Sequence, residues 1–336
     1  MRIFERQPVP DSILEHHAAD IARTRWNRFD DVQKSISLVR NDTPLLERGE
    51  SKKLVEEMRG PRGYTEVPST LQEGLVEDVI ATFTQFCELD QSEKEAFSIP
   101  GENGRGKGAH GYIVRLPEND TIETNLGKVP EHKEYFHYHP KNKAAFLERI
   151  SSLSAEKQTI VRTLIEKLDT LWKETVALAR ITVKQMEAEG YPGLYARIFP
   201  EGQEPRFTLR VLMYKKVEQG AFHANHHFDA GTLTFSIKES GSGLGGAPGK
   251  VDANGDVQLD REMEPISRNG NTIIVWAGGN FRKQIDPEMK GFWHGVEQTD
   301  ATDDVALGND ARWAVVGFLD IPGENVMSLE ETHGKK

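Results

Sequence analysis

The strongest constraint on the fold is a change of hydrophobic period near residue 200. Residues 154–190 carry one apolar stripe at helical spacing, and Gly190-Tyr-Pro-Gly193 stops it. The stripe consists of Ile160, Leu164, Leu168, Leu171, Trp172, Val176, Ala179, Val183 and Met186. Beyond Pro200 the period falls to two. In residues 206–216, Phe207, Leu209, Val211 and Met213 fall on one side, and Arg210, Leu212 and Tyr214 on the other. Residues 231–239, 272–276 and 311–321 read the same way. Glycine-rich turns separate them: Gly241-Ser-Gly-Leu-Gly-Gly246, Asn269-Gly270 and Gly278-Gly279. Several short strands at this spacing imply an antiparallel sandwich or barrel.

The part before residue 200 reads as mostly helical. Leu75, Val76, Val79, Ile80, Phe83 and Phe86 follow helical spacing, and Ser92, Glu93 and Glu95 mark a short helix starting after Leu89-Asp90. The first 60 residues are polar and of mixed charge, in keeping with helical segments and turns. A length of 336 residues fits either one β domain with a helical N-terminal part or two domains.

Composition removes several function classes. The formal charge of −11 argues against a nucleic-acid partner, which needs a basic face. No run of about 18 apolar residues is present, so no membrane span is expected. The N-terminal stretch has no apolar segment followed by a cleavage site. The single Cys87 can form no intramolecular disulfide and excludes thiolate-rich metal sites, so a reducing cytoplasm is the expected compartment.

The chemistry concentrates in Ala224-Asn-His-His-Phe-Asp-Ala-Gly-Thr-Leu-Thr-Phe235. Residues two apart on a strand share a face, so His227 and Asp229 are expected to project together, in line with Leu233 and Phe235. An imidazole and a carboxylate side by side can fill adjacent positions on one metal. A third ligand from another strand would complete a facial triad with three positions open. Only His294 and His333 follow Asp229, and His333 lies at the C-terminal end, so His294 is the third candidate. His223 and His226 crowd the same segment, which leaves open which imidazole binds. His226 shares the opposite face with Phe228 and would lack Asp229 beside it.

These residues resemble the isopenicillin N synthase-like group of the 2-oxoglutarate- and Fe(II)-dependent oxygenases. That group has His-x-Asp, a small residue, Gly and a Leu-Thr run; here it is His227-Phe-Asp-Ala-Gly-Thr-Leu-Thr234. Phe86-Cys-Glu-Leu-Asp-Gln-Ser-Glu-Lys94, His132-Lys-Glu-Tyr-Phe136 and Leu209-Arg-Val-Leu-Met-Tyr214 are similar to further segments of the group. Arg312 stands where the group has an arginine on its last core strand. The resemblance implies a mainly β protein with a helical N-terminal part, its core a double-stranded β-helix (jelly roll) flanked by α-helices. A helix-rich region would occupy residues 1–200, the core 201–325 and a flexible tail 326–336.

It also implies Fe(II) held by His227, Asp229 and His294, and O2 and 2-oxoglutarate as cosubstrates. Arg312 would take the distal carboxylate of 2-oxoglutarate as a forked ion pair, with a hydroxyl bond from Tyr214. The implied reaction hydroxylates a small molecule, such as an amino acid, a peptide or another carboxylate-bearing metabolite, and releases succinate and CO2. Asp229 argues against halogenation, because a halide needs the position that the carboxylate fills. An oxidative cyclase or desaturase of the same group, with or without 2-oxoglutarate, is the alternative. A metal-binding β-barrel that senses or stores a ligand is the non-catalytic alternative.

The chain departs from the group at four places. The usual Arg-x-Ser is Arg312-Trp-Ala314, the usual Asn two residues before the Tyr is Leu212, and the arginine after the distal histidine is Gly295. An acidic insertion, Asp300-Ala-Thr-Asp-Asp304, precedes Arg312. The loop Gly101-Glu-Asn-Gly-Arg-Gly-Lys-Gly108 lacks the Gly-Lys-Ser/Thr ending of a phosphate-binding loop. With Arg105, Lys107, His110 and Tyr112 it has the composition of a basic lid.

Overall fold

The computed structural model describes residues 54–100, 109–115, 121–124, 127–130, 133–215, 222–297, 312–323 and 332. Helix α1 (Leu54–Arg59) leads into strand β1 (Thr65–Pro68), followed by helices α2 (Leu75–Cys87) and α3 (Gln91–Glu95). Next come strands β2 (Ser98–Ile99) and β3 (His110–Arg115), the hairpin β4 (Thr121–Thr124) and β5 (Gly127–Pro130), and strand β6 (Lys133–Tyr138). Helices α4 (Lys143–Arg149), α5 (Ala155–Ala188) and α6 (Leu194–Ile198) precede the main run of strands. That run comprises β7 (Phe207–Tyr214), β8 (Phe222–His227), β9 (Leu233–Glu239), β10 (Leu244–Val251), β11 (Val257–Leu259), β12 (Glu264–Pro265) and β13 (Thr272–Ala277). Helix α7 (Gly279–Gln284), β14 (Gly291–Glu297) and β15 (Arg312–Leu319) close the described chain.

Apart from the β4–β5 hairpin, the strands form two antiparallel sheets. The larger has the order β1-β13-β9-β15-β7-β6-β3-β2, and the smaller β11-β10-β14-β8 with β12 beside β10. Alternation on β7 assigns the two faces of the larger sheet. Phe207, Leu209, Val211 and Met213 join α2 and α5 in the main core, whereas Leu212 and Tyr214 join Tyr135 and Ala314 against Ala224, Leu244 and Val296 of the smaller sheet. The layers are therefore helices, large sheet and small sheet, a double-stranded β-helix in which the space between the sheets holds the site. Helix α5 is tied to the large sheet by its buried stripe and by Trp172, whose indole N–H donates to the Phe207 carbonyl at 2.8 Å.

The division into helices first and strands afterwards is not complete. β1, β2, β3 and β6 precede residue 200 and still pair into the large sheet. β6 hides its alternation because Glu134 occupies a core-facing position. Its carboxylate is neutralised there by buried Lys94 at 2.9 Å, so the charge reads as exposed although it is not. Tyr112, grouped above with a lid, instead packs edge-on against Phe86 at 5.7 Å and donates to Glu134 at 3.1 Å. The expected lid at 101–108, the acidic insertion at 300–304 and the first 53 residues lie outside the described residues. So does the expected tail, except for Thr332, whose carbonyl accepts from the Phe228 N–H at 2.8 Å. Among the described residues no helix is long and apolar enough to cross a membrane.

β15 carries residues of both layers, and Gly317 sets how closely it approaches the core. A Cβ there would lie 2.2 Å from the ring of Phe207, itself wedged between Trp172 and Phe235. Gly317→Ala is expected to destabilise the protein by about 1–3 kcal/mol through overpacking. Urea unfolding measures this, and an unchanged midpoint would mean that Phe207 can move aside freely.

Candidate metal centre

β8 and β14 lie side by side, and their register pairs His227 with His294, the rings 4.5 Å apart. β8 ends at His227, so Asp229 lies in the crossover to β9 rather than on the strand. This break resets the alternation. Leu233 and Phe235, expected in line with Asp229, face the main core, and Thr234 faces the site instead. The crossover is pinned by the Gly279 N–H on the Asp229 carbonyl at 2.8 Å. Gly278 permits this contact, since a Cβ there would lie 2.2 Å from the Gly231 carbonyl oxygen.

Backbone carbonyls fix both imidazoles in one tautomer. Nδ1 of His227 lies 2.7 Å from the Asn225 carbonyl, and Nδ1 of His294 lies 2.9 Å from that of Phe292. A carbonyl only accepts, so each Nδ1 carries the proton and each Nε2 keeps its lone pair. Those lone-pair nitrogens flank Asp229: His227 Nε2 is 3.6 Å from Oδ1, and His294 Nε2 is 3.6 Å from Oδ2. The three ligand atoms lie within 4.8 Å of one another. These gaps exceed a hydrogen bond. They suit donors sharing one ion, with metal–ligand bonds of roughly 2.0–2.2 Å.

Asp229 is buried and its Oδ2 accepts twice, from the Thr234 hydroxyl at 2.7 Å and from the Trp276 indole at 2.9 Å. Burial works to raise its pKa, but His294, His227 and the Thr234 hydroxyl outweigh burial and hold the carboxyl well below the usual carboxylate range. Burial lowers His294 to about 4, against the opposing pull of Asp229. At neutral pH the cluster is thus one carboxylate with a neutral His294 beside it. Thr234 and Trp276 carry no ligand signature in the sequence, although Thr234 belongs to the Leu-Thr run already singled out.

The competing histidines separate cleanly. His226 turns to the other face of β8, its ring 6.3 Å from Trp293. It also accounts for Gly295, because a Cβ at that position would lie 2.3 Å from His226 Cδ2. His223 is buried farther along β8, its ring 5.1 Å from Tyr214.

Tyr214 and Arg312 are register partners on β7 and β15. Arg312 Nε and Nη1 are buried with no hydrogen-bond partner among the described residues. Burial lowers the pKa of this guanidinium, against the pull of Tyr214 and Glu239. The nearby acid does not pair with it, because Glu239 is gripped by Arg268 at 2.5 and 2.9 Å. A guanidinium with two buried, unpartnered nitrogens is costly unless an anion from outside completes it, so the residues present fit a carboxylate-bearing cosubstrate. Ala314 and Leu212 are register partners in the apolar wall beside it.

No protein-family profile and no curated protein sequence matches the chain. Solved structures do match in fold. A full-length Neurospora crassa protein solved in complex with alpha-KG is 18% identical with a TM-score of 0.60, over 81% of this chain and 79% of that one. AtDAO1, the dioxygenase for auxin oxidation 1 from Arabidopsis thaliana, solved with 2-oxoglutarate, is 16% identical with a TM-score of 0.56, over 84% and 93%. JOX2 in complex with 2OG, Fe and JA is 16% identical with a TM-score of 0.56, over 82% and 73%.

The hydrogen bonds to Asp229 Oδ2 are testable on the metal alone. Thr234→Val keeps shape and removes one donor, and is expected to weaken Fe(II) binding about 10–100-fold. Anaerobic titration measures it, and an affinity equal to the wild type would show that Trp276 alone orients the carboxylate.

Proposed function

We propose that this chain is a non-haem Fe(II)- and 2-oxoglutarate-dependent dioxygenase that hydroxylates a small molecule and releases succinate and CO2. In this reading His227, Asp229 and His294 are the metal ligands, and Arg312 with Tyr214 holds the cosubstrate. The observation that carries it is the buried Arg312 guanidinium, unpartnered at Nε and Nη1, on the sheet that faces a two-histidine, one-carboxylate cluster. Such a cluster suits Fe(II) with positions left for other ligands. The structural neighbours solved with alpha-KG or 2-oxoglutarate support the same reaction class.

Bound Fe(II) and 2-oxoglutarate would supply the oxidising power, with decarboxylation of the cosubstrate and transfer of oxygen to a C–H bond. The protein's own contribution is positional. The Asn225 and Phe292 carbonyls aim the two Nε2 atoms, and Thr234 and Trp276 hold the carboxylate against rotation. Arg312 gives a planar fork to the distal carboxylate, for which Lys would be only a point charge. The apolar wall of Leu212, Ala314, Leu244 and Val296 keeps water from that ion pair and so strengthens it.

With Fe(II), 2-oxoglutarate and O2 supplied, the purified protein is expected to form succinate and CO2. His227→Ala, Asp229→Ala and His294→Ala should each abolish this with the circular dichroism spectrum retained. A wild type that binds both ligands yet makes no succinate with any substrate would favour a sensing or storage role.

Arg312→Lys is expected to raise the 2-oxoglutarate requirement ten- to hundred-fold, from the loss of about 1.5–3 kcal/mol of charged hydrogen bonding. Ala314→Ser should tighten 2-oxoglutarate or leave it unchanged, because the added hydroxyl would lie on the Arg312 face of β15. Anaerobic affinity measurements test both. An unchanged requirement in Arg312→Lys, or a large loss in Ala314→Ser, would move the carboxylate partner away from Arg312.

A further inference from the structure

We infer that Arg210 forms a second anion subsite beside the metal cluster, and that the substrate is a small carboxylic acid with an apolar body, gripped end-on by this arginine. The inference rests on the oxygenase reading above and names the substrate class for the same site.

Arg210 lies on the face of β7 that looks between the sheets, in register with His137 on β6 and Val316 on β15. Its guanidinium carbon is 4.6 Å from the Phe318 ring and 5.0 Å from the Tyr135 ring, which occupy opposite diagonals around it. Phe318 is the register partner of Thr234, whose hydroxyl holds Asp229. β15 alone lies between Arg210 on β7 and Thr234 on β9, two strand spacings or roughly 10 Å across the sheet.

The bonding of Arg210 leaves a single edge for a ligand. Nε donates to His137 Nε2 at 2.6 Å, and His137 Nδ1 lies 3.0 Å from the Ala109 carbonyl. A carbonyl can only accept, so Nδ1 bears the proton and this imidazole is the neutral tautomer, bringing no charge. The Tyr135 and Phe318 rings lie within cation–π distance of the guanidinium. Among the described residues no carboxylate pairs with Arg210, and Nη1 and Nη2 have no hydrogen-bond partner. What remains is the fork of two terminal nitrogens, the arrangement that matches a carboxylate in its own plane.

Charge and spacing separate this subsite from that of the cosubstrate. Arg210 stands opposite Val316 on β15, which is four residues or about 13 Å along the strand from Arg312. One small diacid chelating the metal cannot span both. With Fe(II), Asp229, Arg312 and dianionic 2-oxoglutarate in place, the charges of those groups cancel, and the Arg210 cation is left over. A monoanionic substrate neutralises it, whereas a neutral one leaves a half-buried cation unpaired. The neighbouring wall is apolar, with Ile113, Val316 and Phe318 partly buried there, so the body attached to the carboxylate must be apolar too.

The test uses the full chain, anaerobic and loaded with Fe(II) and 2-oxoglutarate, and reads the visible charge-transfer absorption of that complex. Phenylacetate, indole-3-acetate and hexanoate are titrated, each against its primary amide. In the wild type at least one acid is expected to perturb the band at a concentration ten- to hundred-fold below that of its amide. Arg210→Gln should abolish that preference, with the affinity for Fe(II) and 2-oxoglutarate within about twofold of wild type. Arg210→Lys, which keeps the charge and loses the fork, should retain part of the preference, and it serves as the probe if the Gln variant does not fold. Equal binding of acids and amides, no response to any of the acids, or an acid preference that survives both substitutions would overturn the inference. Loss of 2-oxoglutarate binding in Arg210→Gln would also overturn it, by making Arg210 the cosubstrate's partner. A wild type that forms no such band would fail the oxygenase reading itself, an outcome distinct from the others.

Discussion

The site depends on how one carboxylate is held. Asp229 lies on a crossover between the two sheets, with no strand of its own to fix it. Its Oδ2 is bound by Thr234 on β9 and Trp276 on β13, both in the large sheet, while the imidazoles beside it come from β8 and β14 in the small one. The cluster is thus a joint between layers: large-sheet donors orient the acid and small-sheet carbonyls orient the bases. Buried charge makes such a joint sensitive, because each hydrogen bond to a desolvated carboxylate counts for more than it would in water. Packing that brings the sheets together and the geometry of the cluster are one problem.

The glycines of the site act on spacing in the same way. Gly278 lets the turn after β13 approach the Asp229 crossover, and Gly295 makes room for His226 on the far face of β14. Neither glycine needs an unusual backbone conformation. What each needs is the absence of a Cβ, so that two segments of main chain or a ring can come closer than side chains permit. The sequence difference at Gly295 is in this way explained by its neighbour rather than by the chemistry at the centre.

Much of this was readable from residue types alone. The alternation on β7 correctly separated core residues from site residues, because that strand has one face against helices and the other against the second sheet. The helical stripe of α5 is equally plain, since its exposed side is mostly polar. β6 was obscured by Glu134, whose charge is cancelled by Lys94 from a distant helix, a contact that no local pattern reveals. The facing of Leu233 and Phe235 was misread for a different reason: the strand containing His227 ends there, and a period of two cannot be carried through a turn. Thr234 and Trp276 escaped notice because a hydroxyl and an indole have ordinary structural uses everywhere. Their role appears only when the fold brings them to one oxygen atom.

β7 and β15 carry a consequence of their own. Along both strands, odd and even positions serve different layers: Val211, Met213, Trp313 and Val315 fill the core, while Arg210, Leu212, Tyr214, Arg312 and Ala314 face the gap between the sheets. A single-residue insertion or deletion in either strand would exchange the two sets at once, putting charge into the core and core residues into the site. Descendants of this chain can therefore change what they recognise by replacing residues in these strands, but not by lengthening or shortening them. Changes of length are then best tolerated in the connections, and changes in what the strands recognise fall as substitutions at alternate positions.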